Sequence, residues 1–114
     1  MSDLFTLLQK IEKAPGLYIG RPAVTDLFLF LVGYEFARSE IDVELTPLEA
    51  RFYQEFQPWL QQKLEVKTSA SWAKLILLSE RDESSGFKSF YRLLAEFRQE
   101  EWISNTELSS NLVH

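Results

Sequence analysis

The amino-acid sequence predicts an all-α fold: a compact bundle of about five helices around a central apolar helix at residues 22–39. Three observations carry this. Apolar residues recur at spacings of three and four through most of the chain, as they do on one buried helical face. Residues that end and start helices separate those stretches, at Ala14-Pro15-Gly16, Thr46-Pro47 and Ser69-Ala70-Ser71. Only Glu40-Ile41-Asp42-Val43-Glu44-Leu45 alternates acid with aliphatic as a half-wet strand would, and no second strand exists to pair with it. An extended connector is the expectation there.

The first helix is expected at residues 3–13, with Leu4, Leu7, Leu8 and Ile11 on one face. Pro15 disfavours helix in the residue before it, and Gly16 suits a C-terminal turn. The stretch Leu17-Tyr18-Ile19-Gly20 is expected to run extended and pack its three side chains on the core, with positive φ at Gly16 and Gly20. Pro22 can open the second helix, since its first position needs no backbone N–H. Val24, the run from Leu27 to Val32, Tyr34 and Phe36 make that helix apolar nearly all round. Such a helix is normally buried on several sides.

Thr46-Pro47-Leu48-Glu49 is the sharpest local signal. Thr46 can cap, Pro47 fits the first helical position, and Glu49 can reach back to the cap's own N–H. Leu48, Phe52, Phe56, Trp59, Leu60 and Leu64 then mark one face of a third helix. Pro58 falls inside it, and because the apolar stripe continues through Trp59 and Leu60, a kinked continuation is expected rather than a restart. A shorter fourth helix carries Trp72, Leu75, Ile76 and Leu78. A charged loop follows at residues 79–86, and a fifth helix at 85–101 presents Phe87, Phe90, Tyr91, Leu94 and Phe97. Trp72 and this aromatic stripe are read as core.

The 114 residues suit one domain, and 46% hydrophobic residues with nine Phe, four Tyr and three Trp supply a core that disordered chains lack. Residues 1–103 are expected to form that domain and the polar residues 104–114 a flexible tail. Cysteine is absent, which excludes disulfides and thiolate metal sites. The N-terminal residues do not resemble a secretory signal, and the run from Leu27 to Val32 falls far short of the ~20 residues of a membrane span. A cytoplasmic location is the expectation. The formal net charge of −5 disfavours nucleic acid and anionic membrane surfaces and favours a basic partner.

Little here suggests chemistry. The single histidine is His114, so Ser-His and Cys-His nucleophile pairs and a His-based zinc site cannot be assembled. The carboxylates occur at no diagnostic spacing, and Glu80, Asp82 and Glu83 lack the alternation and central Gly of a calcium loop. Pro15-Gly16-Leu17-Tyr18-Ile19-Gly20 is similar to a stretch in the ATPase domains of type II topoisomerases. The helix after it, however, carries Phe28, Leu29 and Phe30 where those domains supply a Glu and an Asn, and no Asp-x-Gly-x-Gly follows. ATP binding is therefore rejected. No catalytic residue, cofactor site or metal site is assigned.

The order of the pieces carries a resemblance. A short first helix leads into Pro15-Gly16-Leu17-Tyr18-Ile19-Gly20, then the run from Leu27 to Leu31 with Gly33 and Tyr34. Phe56, Trp59 and Leu60 follow, then Ser71-Trp72-Ala73 with Ile76, then Phe87, Phe90, Leu93, Leu94, Glu96 and Phe97. This resembles a family of small, largely uncharacterised bacterial proteins with a PG-x-Y-x-G turn and an S-W-A helix. Some of these are suspected immunity proteins of polymorphic or contact-dependent toxin systems. The resemblance implies a helical fold and a protein partner, and it brings no catalytic residues.

The functional expectation is thus a non-catalytic cytosolic domain that binds another protein, as an immunity protein binds and neutralises a cognate toxin. The alternative is a small carboxylate-using enzyme or a small-molecule-binding helical domain, for which a deep pocket with converging carboxylates beside Tyr18, Tyr34 or Trp72 is the discriminating feature. From Glu35 to Glu55 six acids stand against Arg38 and Arg51, a net of −4 out of the chain's −5. The expected partner-binding residues are Glu35, Glu40, Asp42, Glu44 and Glu49, around a connector expected at the surface.

Overall fold

The computed structural model describes the backbone from Asp3 to Val113 and the side chains from Asp3 to Glu100. The chain is all-α. Its helices are α1 (Leu4–Lys13), α2 (Pro15–Tyr18), α3 (Val24–Glu40), α4 (Pro47–Leu64), α5 (Trp72–Glu80) and α6 (Glu83–Val113), with no strand among the described residues. No helix among those residues is long and apolar enough to cross a membrane.

Helix α1 begins where Asp3 accepts the Thr6 N–H at 2.9 Å, and Lys10 and Lys13 complement the dipole of its last turn. The Pro-Gly stretch is not extended. It folds into the single turn of α2, closed by the Ile19 N–H on the Pro15 carbonyl at 2.8 Å, because proline's preset φ and missing N–H suit a helix start. Gly20 has the expected positive φ, 84°, whereas Gly16 does not. Leu17 is 83% exposed and Tyr18 is also exposed, so of the three side chains expected on the core only Ile19 packs there. The two glycines should therefore respond oppositely. Gly16→Ala meets open space and should leave stability unchanged or raise it by up to ~1 kcal/mol, whereas Gly20→Ala should cost about 1–2 kcal/mol. Urea titrations of the two variants check this.

Helix α3 starts at Val24 rather than at Pro22, and its N-cap Ala23 offers no side-chain oxygen. A residue far along the chain supplies one: Glu83, in the first turn of α6, accepts the Thr25 N–H at 3.0 Å. At α4 the capping box forms as expected between Thr46 and Glu49, and the helix runs unbroken through Pro58. Ser71 caps α5. The expected charged loop shrinks to Arg81, in the left-handed region at φ 76°, and Asp82, whose carboxylate accepts the Ser85 N–H at 2.8 Å. Glu80 and Glu83 belong to the flanking helices. Helix α6 continues to Val113, through the stretch expected to be a tail. The side chains of residues 104–114 lie outside the described ones.

The core is aromatic and centres on α4, α5 and α6. Trp72 stacks on Phe90 at 4.8 Å, and Phe56 meets Phe97 edge-on at 5.4 Å and stacks on Phe52 at 5.1 Å. Helix α1 closes the assembly through Leu4, Phe5, Leu8 and Ile11, with Tyr91 donating its hydroxyl to the Leu8 carbonyl at 2.7 Å. Helix α3 is not enclosed as its composition suggests. It buries Val24, Leu27 and Leu31 against α5 and α6, but leaves Leu29, Val32 and Phe36 at 61%, 49% and 65% exposure. The approach of α3 to α6 is set by Gly86, where an added Cβ would lie 2.8 Å from Val24 Cγ1. Gly86→Ala should cost about 1–3 kcal/mol as overpacking, read from its denaturation midpoint.

Candidate partner-binding site

The region from Glu35 to Glu55 folds around one buried ion pair. Arg38, in the last turn of α3, bonds through Nη1 and Nη2 to the Glu49 carboxylate in the first turn of α4, and both side chains are almost wholly removed from water. Glu49 also accepts the Thr46 N–H at 2.9 Å and, across 45 residues of chain, the Leu4 N–H at 2.8 Å. It thus satisfies an otherwise orphaned backbone donor at the start of α1 as well as its own capping box. Burial pushes the Glu49 carboxyl up. The Arg38 hydrogen bond, the Thr46 and Leu4 N–H groups and the Arg38 charge outweigh it and hold the group at about 2. Arg38 is correspondingly raised, first by its hydrogen bond to Glu49.

Glu49 therefore cannot meet a partner, which corrects its expected place in the interface. With 0% exposure, it is an internal clasp joining α1, α3 and α4.

The other four expected residues are at the surface. Arg38 and Arg51 are taken up by Glu49 and Glu55, the latter pair at 2.7 Å. Glu35, Glu40, Asp42 and Glu44 have no ion-pair partner among the described residues, so the net −4 of the segment resides on four exposed carboxylates. The connector after α3, which bears Asp42 and Glu44, is held by backbone hydrogen bonds. The Val43 N–H bonds to the Arg38 carbonyl at 3.1 Å and the Asp42 N–H to the Ser39 carbonyl at 3.4 Å, around Asp42 at φ 55°. That is a Schellman C-cap, with an aspartate where glycine is usual. Arg38 Nη2 further donates to the Glu44 carbonyl at 3.4 Å.

Beside these acids lies the apolar surface that sequence reasoning missed. Leu29, Val32, Gly33, Phe36 and Glu40 fall within about 100° of arc on α3 and form a continuous exposed stripe. Ile41, Leu45 and Leu48 extend the exposed apolar surface along the connector and into α4. Single exposed apolar residues are ordinary, but a contiguous apolar ridge is less so. Gly33 leaves open space in the stripe. In a helix interior it is also less favourable than alanine, so Gly33→Ala should raise stability by about 0.5–1 kcal/mol in thermal melts.

The side of α3 adjoining this stripe lines a cleft together with α4 and Trp72 of α5. Phe28, Val32 and Glu35 line it from α3, and Tyr53 and Gln57 from α4. Its volume is about 270 Å³. The pocket features that would have favoured the enzyme alternative do not coincide here. Tyr18 is exposed on α2, Tyr34 receives the Arg38 guanidinium N–H at 3.4 Å, and Glu35 is the only carboxylate of the described residues on the cleft wall. Among the described residues no group of three or more His, Cys, Asp or Glu side chains is placed to hold a metal ion. No family model, curated protein or solved structure matches this chain.

Proposed function

We propose that this chain is a non-catalytic protein-binding domain that docks a basic partner against the outer stripe of α3 and the acidic connector. The observation that carries the reading is the juxtaposition of Leu29, Val32 and Phe36 with four carboxylates that no base of the described residues neutralises. Apolar burial supplies affinity and the carboxylates steer and orient a positively charged surface. The clasp at Arg38 and Glu49 fixes the connector in advance, which lowers the ordering cost of association.

Within this reading the partner is a toxin enzyme, and the domain neutralises it in the cytoplasm by covering its active site. Occlusion needs complementary shape and charge and no chemistry of its own, which suits a chain without a catalytic constellation. An enzyme that acts on phosphate-bearing substrates has the basic surface that the connector would meet.

The test is co-expression with the product of the neighbouring reading frame. A stoichiometric complex is expected on size-exclusion chromatography, and Phe36→Asp combined with Leu29→Asp should abolish it while leaving the helical circular dichroism spectrum and melting cooperativity intact. Both residues are more than half exposed, so the fold does not depend on them. A complex equally strong with the double variant removes the α3 face from the interface.

A further inference from the structure

We propose that the cleft between α3 and α4 receives a single organic cation on an apolar stem: a lysine or arginine side chain of the docked partner. This rests on the protein-binding reading above and names the group that enters the pocket. The cleft has aromatic walls. Phe28 and Trp72 meet edge-to-face at 5.2 Å, Phe52 meets Trp72 edge-on at 6.5 Å, and Tyr53 meets Phe52 edge-on at 5.5 Å. Ring faces attract cations, most strongly where water is excluded. No Lys or Arg lines the cleft, whereas Glu35 brings a carboxylate that has no ion-pair partner among the described residues.

Two further acceptors point to the same ligand chemistry. The Tyr53 hydroxyl is buried and has no hydrogen-bond partner among the described residues, so its oxygen has a lone pair left to accept an N–H. Burial and then the nearby Glu35 charge push that hydroxyl above its ordinary pKa, so it stays protonated and neutral. Gln57 spends its amide nitrogen on the Ala70 carbonyl at 2.5 Å, which leaves its oxygen to accept. An ammonium or guanidinium group offers several N–H donors, which the Glu35 carboxylate and the Gln57 and Tyr53 oxygens can accept. Size agrees. About 270 Å³ is some nine water volumes, ample for one long side chain and below the usual range of cofactor pockets.

The test uses the full chain with n-butylammonium and n-butylguanidinium as probes, and n-butanol and butyrate as controls of equal stem length. Binding is followed by the indole N–H resonance of Trp72. Both cations should give saturable millimolar binding and the controls none. Glu35→Gln should weaken the cations at least about tenfold, the scale of one charge-assisted hydrogen bond. Tyr53→Phe should weaken them less, and it should not lower stability because it removes an unpaired buried hydroxyl. Butanol binding as tightly as butylammonium, no saturable Trp72 shift, or unchanged affinity in Glu35→Gln would each overturn the site. The partner complex is then measured with Glu35→Gln and with a saturating amine competitor. Weakening by both supports the inference. An unaffected complex, with the amines still bound, overturns the partner side chain as occupant but leaves the docking reading standing. Amine binding without any partner complex overturns the docking reading and leaves a site for free amines.

Discussion

Arg38→Met is expected to destabilise the domain by about 3–5 kcal/mol, because it leaves the Glu49 carboxylate buried without its counter-charge. On a domain of this size that lowers the melting temperature by more than ~10 °C. The loss should appear as a shifted urea midpoint at unchanged slope, since the amount of surface exposed on unfolding stays the same. Adding Glu49→Gln to Arg38→Met should restore part of the loss. The Leu4 and Thr46 N–H groups bond to different carboxylate oxygens, so the single amide oxygen keeps one of them and leaves the other unpaired, but the buried charge is gone. A double-mutant cycle isolates the coupling, and additivity within about 0.5 kcal/mol would deny Arg38 and Glu49 a shared role. The same pair governs behaviour in acid. Glu49 lies near 2 in the folded chain against an ordinary 4.5, so the unfolded chain takes up its proton first. The contribution is fully present above about pH 4.5 and is lost as pH falls towards 2. In Arg38→Met/Glu49→Gln this part of the acid dependence should disappear.

Charge reversal on the connector should act on the partner and spare the fold. Glu40→Lys, Asp42→Asn and Glu44→Lys together should slow association with the cognate partner at least about tenfold and flatten its salt dependence. Asparagine is chosen at position 42 because the left-handed conformation there tolerates it better than lysine. Exposed charges contribute little to stability, so the melting temperature should hardly move. Stopped-flow association at several ionic strengths reads the effect. A triple variant that associates as fast as the parent would exclude the connector from the interface.

The contrast between these sites shows what a linear reading can reach. The box at Thr46 and Glu49 spans three residues, so the sequence alone makes it legible. The clasp is not legible in that way, because its other members lie 11 and 45 residues from Glu49. The one signal it leaves in the sequence is Arg38 itself, the single base of a helix whose other charged residues are acids. The apolar periodicity of α3 misleads for a related reason: a helix apolar on all sides reads the same whether its outer face is enclosed or left for a partner. Gly86 and Glu83 likewise act on α3 from across the fold, at Val24 and Thr25. Pro15-Gly16 reads as a breaker, although proline at a helix start is equally at home, as α2 demonstrates.

The reach of Tyr91 to the Leu8 carbonyl, 83 residues away, bears on how the domain is made. On the ribosome α1 is synthesised before the other five helices, and 69 residues lie between its end at Lys13 and the start of α6 at Glu83. At ~5–20 residues per second that interval is about 4–14 s. Throughout it Leu4, Phe5, Leu8 and Ile11 lack the helix that covers them, although helices themselves form within microseconds. The nascent chain therefore passes through a long period in which the apolar residues of this short, marginally helical segment have nowhere to pack. Chaperones that hold exposed apolar segments should crosslink to α1 until α6 has emerged, and release it thereafter.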